Sequence, residues 1–177
     1  MGNNPPKILI AGVGNELRQD DAFGMILASK LLDEAELPAS VKVIEAGSAG
    51  IHLVQQLYDR YDVLMILDTV QWGDAPGKIS LKEVVVKDIR EMPAEEKNNF
   101  LADMHYINPV KALMMAKALD VIPEKVYFLG CEAADHEDID VGMSPVVSSA
   151  IPLAFSKVME WIKGIMQNEN TSAMRSI

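Results

Sequence analysis

Residues 7–32 read Lys7-Ile-Leu-Ile-Ala-Gly-Val13, then Gly14-Asn-Glu-Leu-Arg-Gln-Asp-Asp21, then Ala22-Phe-Gly-Met-Ile-Leu-Ala-Ser-Lys-Leu-Leu32. The first block is an almost continuous apolar run, the pattern of a strand buried on both faces. Gly14 and Asn15 break it. In the third block Phe23, Ile26, Leu27, Leu31 and Leu32 recur at helical spacing, and Pro38 closes a helix expected within 22–37. A buried strand that turns straight into an amphipathic helix is half of a βαβ unit, so a parallel partner strand should follow.

The rest of the chain repeats that alternation. Val41–Glu45 is a second strand ended by Ala46-Gly47, and a helix runs through Ile51, Leu53, Val54 and Leu57. Val63–Leu67 is a third buried strand, delivering Asp68 at its carboxyl end. Trp72–Gly77 is a turn, and Lys78–Val86 alternates as an edge strand does. Residues 87–107 are polar and irregular, too long for a simple connection and therefore expected to be a functional loop. Pro109–Leu119 is helical, Lys125–Leu129 is a strand and Ser144–Lys163 a long helix. Residues 1–6, and the polar stretch from about Gln167 to Ile177, are expected to be flexible ends. Strand–helix alternation of this kind demands a largely parallel sheet with helices on both faces. No repeat or linker divides the 177 residues, so they form one domain.

Composition removes several function classes. The net charge is −10, and the 16 Lys and Arg residues are dispersed, which disfavours nucleic acid and anionic membrane surfaces. Cys131 is the one cysteine, leaving no internal disulfide and no multi-thiolate metal site. No apolar run reaches the roughly 18 residues of a membrane span, and the first residues lack the apolar core of a secretory signal. A cytoplasmic protein is the expectation.

Ligands of open α/β sheets collect outside the carboxyl ends of the strands. Three segments lead there: the loop after the first strand with Asp20 and Asp21, the end of the third strand with Asp68, and the long loop with His105. Two carboxylates and an imidazole can ligate a divalent metal and leave positions open for water or substrate. Gly12-Val-Gly14-Asn-Glu-Leu17 begins like a dinucleotide fingerprint, but Leu17 replaces the third glycine. Asp20 and Asp21 then lie where pyrophosphate would meet a helix N-terminus, and carboxylates there repel it. Helix capping by one of these aspartates stands beside the metal reading. A turn-initiating role stands beside it for Asp68, and a surface position for His105.

Taken together these segments resemble the nickel–iron hydrogenase maturation endopeptidases, from about Lys7 to Lys163. The motifs are Ile10-Ala-Gly-Val-Gly-Asn-Glu-Leu-Arg-Gln-Asp-Asp21-Ala-Phe-Gly24, Leu67-Asp68-Thr69-Val70 with Gly77-Lys-Ile, Met104-His105 before Asn108-Pro109, and Gly130-Cys-Glu132 with Gly142-Met-Ser144-Pro145. Ala22, where many members carry glycine, and Cys131 depart from the pattern without touching those acids or the histidine. The resemblance implies a three-layer α/β/α sandwich around a mostly parallel, about five-stranded sheet. It also implies an endopeptidase that removes a short C-terminal peptide from a nickel-loaded hydrogenase large-subunit precursor. Asp21, Asp68 and His105 would be the metal-binding and catalytic residues. The nickel would come with the precursor, no organic cofactor is implied, and the protein would act as a monomer. For the cleavage step itself, Asp20 or Glu16 is a conceivable proton carrier.

Other readings rest on single residues. Ser48 in Ala46-Gly47-Ser48-Ala49-Gly50 lies at a strand–helix junction, but the nucleophile elbow needs glycine at 46, and a cap is the plainer role. Cys131 follows an apolar strand, as core cysteines do. His52 is read as structural, and His136 sits in an acidic surface loop. Met92 and Met104 fall in the long loop, where methionine can line an adaptable cleft. A non-proteolytic nickel chaperone using the same three ligands is the alternative function.

Overall fold

Five strands form one sheet in the order β2-β1-β3-β5-β4: β1 Ile8–Val13, β2 Val41–Gly47, β3 Val63–Val70, β4 Ile79–Glu83 and β5 Lys125–Glu132. This computed structural model describes residues 5–48, 50–102, 108–134 and 142–174. All neighbouring strands run parallel except β4, which lies antiparallel on β5 at one edge. Around them fold α1 Phe23–Glu34, α2 Ile51–Leu57, α3 Ala94–Ala102, α4 Pro109–Ala118 and α5 Pro145–Met174.

Alternation along β1 divides the core into two. Ile8 and Ile10 join Met65 and Leu67 of β3 under α1 and α5, which contribute Phe23, Leu27, Leu31, Ile151, Ala154 and Val158. Leu9 and Ala11 face the other way, with Leu64, Ile66 and Val126, under Leu53, Val54 and Leu57 of α2 and Leu113 of α4. The result is the expected three-layer α/β/α sandwich. Each fully buried Leu or Ile contributes about 1.5–3 kcal/mol, which is why near-continuous apolar runs identify these strands.

The strand order fixes where a ligand can sit. From β1 the chain crosses under α1 to β2 on one side, then returns under α2 to β3 on the other. The direction of winding therefore reverses between β1 and β3, and a crevice opens at their carboxyl ends.

Several boundaries differ from those the sequence predicts. β3 continues through Asp68 to Val70, because its backbone keeps pairing with β5 from Asp68↔Gly130 to Val70↔Glu132 after the apolar run ends. β4 is shorter than the apolar pattern, ending at Glu83. Residues 88–102, read as irregular from the sequence, carry regular structure: Asp88 caps a 3₁₀ turn at Ile89–Glu91 by accepting the Arg90 N–H, and α3 follows Pro93. Arg90 spans Asp88 at 2.8 Å and Asp120 at 3.1 Å, fastening this connection to the end of α4. The last helix passes through Pro152 and runs on to Met174, where the sequence predicts a polar, frayed end. Its inner ridge, Val147 to Ile162, is buried against the sheet and holds the helix together across the proline.

Candidate active site

The loop after β1 folds back on itself. Gly14 adopts φ +132°, and a Cβ there would stand 1.8 Å from the Asp21 carbonyl oxygen. Asn15 N–H donates to that same oxygen at 3.1 Å, and Asp21 N–H donates to the Arg18 carbonyl at 2.9 Å. These bonds set Asp21 in a 3₁₀ turn, Gln19–Ala22, over the end of β1. Gly24 then lets α1 start hard against the sheet: a Cβ at that position would lie 2.1 Å from the Leu67 carbonyl oxygen and 2.3 Å from that of Val13. Only glycine tolerates such approaches to backbone on two sides.

The two adjacent aspartates do different work, and neither is an N-cap. The capping positions of the 3₁₀ turn and of α1 are Arg18 and Ala22, without side-chain cap bonds. Asp20 is completely buried. Its carboxylate accepts from Ala134 N–H at 3.0 Å, Ser144 N–H at 2.6 Å and Ser144 Oγ at 3.0 Å. It thereby ties the first loop to the end of β5 and to the first turn of α5 as a structural clamp.

Asp21 instead bears on Asp68. In register with Gly130 near the carboxyl end of β3, Asp68 is partly buried. Burial, and then the nearby Asp21 charge, push its carboxyl up to about 8, against a smaller opposing bond from Thr69 N–H. Two carboxyl groups brought together at a strand end repel when ionised, and either a proton or a cation relieves them. Both acids sit at the β1/β3 crevice, as the sequence expects. His105 lies outside the described residues. Among the described residues no group of three His, Cys, Asp or Glu side chains gathers around a metal position. From Asn108 on the chain is helical: Asn108 caps α4 by accepting Lys111 N–H at 2.9 Å, with Pro109 in the first turn. Because α4 hands the chain to the amino end of β5, its own amino end lies toward the carboxyl rim of the parallel strands.

A second buried carboxylate shapes the rim. Glu132, at the end of β5, accepts Trp72 N–H at 3.0 Å and Gly73 N–H at 2.9 Å, fixing the turn after β3. Neither this role nor that of Asp20 follows from sequence alone; the available signal is an acid at the end of an apolar strand, which Asp68 shares.

The competing single-residue readings meet physical obstacles. Cys131 is fully buried, and burial followed by the Asp20 and Glu132 charges pushes its thiol up to about 12, far from a reactive thiolate. Ser48 is exposed and does not cap α2, whose N-cap is Gly50. His52 is exposed on α2 instead of serving the core. Met92 is half-buried beside the Ile89–Glu91 turn; Met104 and His136 lie outside the described residues. Glu16 is exposed.

A family model described as hydrogenase maturation protease matches residues 25–161, a span that holds Asp68 and His105 and begins just after Asp21. A Methanocaldococcus jannaschii relative named "putative hydrogenase maturation protease" is 31% identical over 160 residues, covering 88% of this chain and 96% of its own. The fold matches that of the hydrogenase maturating endopeptidase HybD from E. coli with a TM-score of 0.69 at 24% identity, over 89% of this chain and 93% of that one. A hydrogenase 2 maturation peptidase from a Thaumarchaeota archaeon matches with a TM-score of 0.63 at 29% identity, over 89% and 98%.

Proposed function

The chain belongs to the hydrogenase maturation protease family, a family of peptidases, and from that premise we propose that it removes a short C-terminal peptide from a nickel-loaded hydrogenase large-subunit precursor. The observation that carries this reading is the meeting of Asp21 and Asp68, from separate elements, at the β1/β3 crevice. Two hard carboxylates, completed by His105, make a modest site for nickel, suited to sensing an ion already held by the precursor. Nickel is thus part of the substrate. Its arrival displaces the proton that Asp68 holds and turns mutual repulsion into shared attraction.

The reaction adds water across one peptide bond. Water oxygen bonds to the scissile carbonyl carbon, the C–N bond breaks, and the nitrogen leaves as an amine carrying a proton. Asp21 and Asp68 fix the nickel-bearing segment relative to that bond, and positioning of this kind can supply several kcal/mol of the barrier reduction. The protein acts as a cytoplasmic monomer that docks transiently, and its charge of −10 favours a basic precursor surface.

The test is to mix the protein with nickel-loaded and nickel-free precursor, beside His105→Ala, and weigh the products by mass spectrometry. A single C-terminal truncation that requires nickel and His105 is expected. An intact precursor that still binds would replace the protease with a maturation chaperone.

A further inference from the structure

Beside the acid pair the sheet carries an aromatic surface that the proposed chemistry does not use. Even-numbered residues of β3 and β5 point to one face: Leu64, Ile66 and Val126 lie there in the core beneath α2 and α4. Asp68 continues that row beyond the helices, with Gly130 as its lateral neighbour. Gly130 leaves space that its surroundings fill. A Cβ there would meet Val70 Cγ2 at 2.7 Å and Trp72 Cη2 at 3.1 Å, so the indole reaches over the strand next to Asp68. The Trp72 backbone is anchored by the Glu132 carboxylate. Its ring is held from the β4 side by Lys82, whose ammonium sits 3.6 Å from the ring centroid. Despite these restraints Trp72 remains 37% exposed. A large ring that is oriented, backed by a missing side chain and still open to solvent is preorganised to cover apolar surface of a ligand.

We propose that Trp72, seated on Gly130 and oriented by Lys82, is a specificity-determining residue that receives an apolar side chain flanking the scissile bond of the precursor. The inference rests on the protease reading, because only a peptide passing Asp68 would cross this ring. Asp68 and Gly130 are neighbours across one strand spacing of about 4.8 Å. The peptide segment that Asp68 positions for cutting therefore passes within reach of the indole. The ring binds and does not react, so its loss should appear in KM and leave kcat nearly intact.

The experiment follows steady-state cleavage of nickel-loaded precursor by wild type, Trp72→Ala, Trp72→Phe and Gly130→Ala. Trp72→Ala is expected to raise KM about tenfold with kcat within about twofold, the scale of a lost aromatic contact. Trp72→Phe should recover most of this, and Gly130→Ala should reproduce it by lifting the ring. Replacing the apolar flanking residue of the precursor by Ala should cost wild type about tenfold in kcat/KM and cost Trp72→Ala nothing further. A readout independent of the Trp72 and Gly130 substitutions uses full-length Trp161→Phe protein labelled with 5-fluorotryptophan, in which Trp72 is the single remaining tryptophan of two. Its fluorine resonance should shift on adding precursor. Cleavage by wild type with unchanged KM in the variants, or an unmoved resonance on binding, overturns the shelf and leaves the protease reading standing. Absence of cleavage by wild type overturns the protease reading and removes the shelf with it.

Discussion

Asp20 accepts hydrogen bonds from Ala134 and Ser144 in complete burial, while Asp21, one residue on, lies near enough to Asp68 for its charge to push that carboxyl up. The same chemical group next door in the chain is met in one case by N–H and O–H donors and in the other by a second carboxyl, with the Thr69 N–H bond to Asp68 the smaller, opposing influence. Glu132 belongs with Asp20, since its charge is spent on the Trp72 and Gly73 amides. The rim is thus built from acids of two kinds. Satisfied carboxylates hold loops in place, and the Asp21–Asp68 pair repels when both groups are ionised. Burial and the Asp21 charge both disfavour the ionised form of Asp68, so the pair costs stability as pH rises towards 8.

The contrast can be broken by substitution. Asp68→Asn should reduce cleavage by about a hundredfold or more, the scale of losing a positioning contact at the reacting centre, and yet raise the melting temperature of the protein without nickel. Thermal melts beside activity check both signs; a variant that is less stable as well as inactive would place Asp68 with the structural acids. Asp20→Ala should behave oppositely. Removing the acceptor strands buried donors and costs about 2 kcal/mol or more, a drop of roughly 4–8 °C for a chain of this size. Glu132→Gln should cost less, about 1 kcal/mol, because the amide oxygen keeps one acceptor.

The pH dependence sharpens the same comparison. Asp68 titrates near 3.8 when unfolded and at about 8 when folded. Between those values the folded state alone keeps the proton, so Asp68 makes stability fall as pH rises from about 4 to about 8. Asp68→Asn should lose that slope in melts across the window. Asp88 has the opposite sign: hydrogen bonds from Arg90 hold it at about 2, below its ordinary 3.8. Its stabilisation is complete above 3.8 and is lost as pH falls through 2, so Asp88→Asn should flatten the acid limb alone. This is the smallest of the effects, since Arg90 is largely exposed and its pairing is screened.

Much of this architecture is legible in the chain because the strands are buried on both faces. Ile8 to Val13 and Val63 to Leu67 have no polar residue to confuse them, and their alternation with amphipathic helices leaves few topologies. α3 escapes notice because Ala94–Ala102 is mostly polar and shows no apolar stripe. β3 runs past its apolar segment because backbone pairing with β5 continues where hydrophobicity stops. At the site, Asp21 and Asp68 stand out as acids at strand ends. Asp20 and Glu132 stand out for the same reason and prove to be clamps. Which acid turns inward is decided by Gly14, Ala134 and Ser144, partners whose proximity no local pattern encodes.

The most direct test of the account is the nickel coordination itself, read by X-ray absorption on a nickel-loaded precursor whose scissile bond is blocked by substitution. Binding of the wild-type protein should add oxygen ligands to the nickel shell, and Asp21→Asn with Asp68→Asn together should abolish the change. An unaltered nickel shell in a complex that binds tightly would contradict the claim that these two carboxylates read the metal.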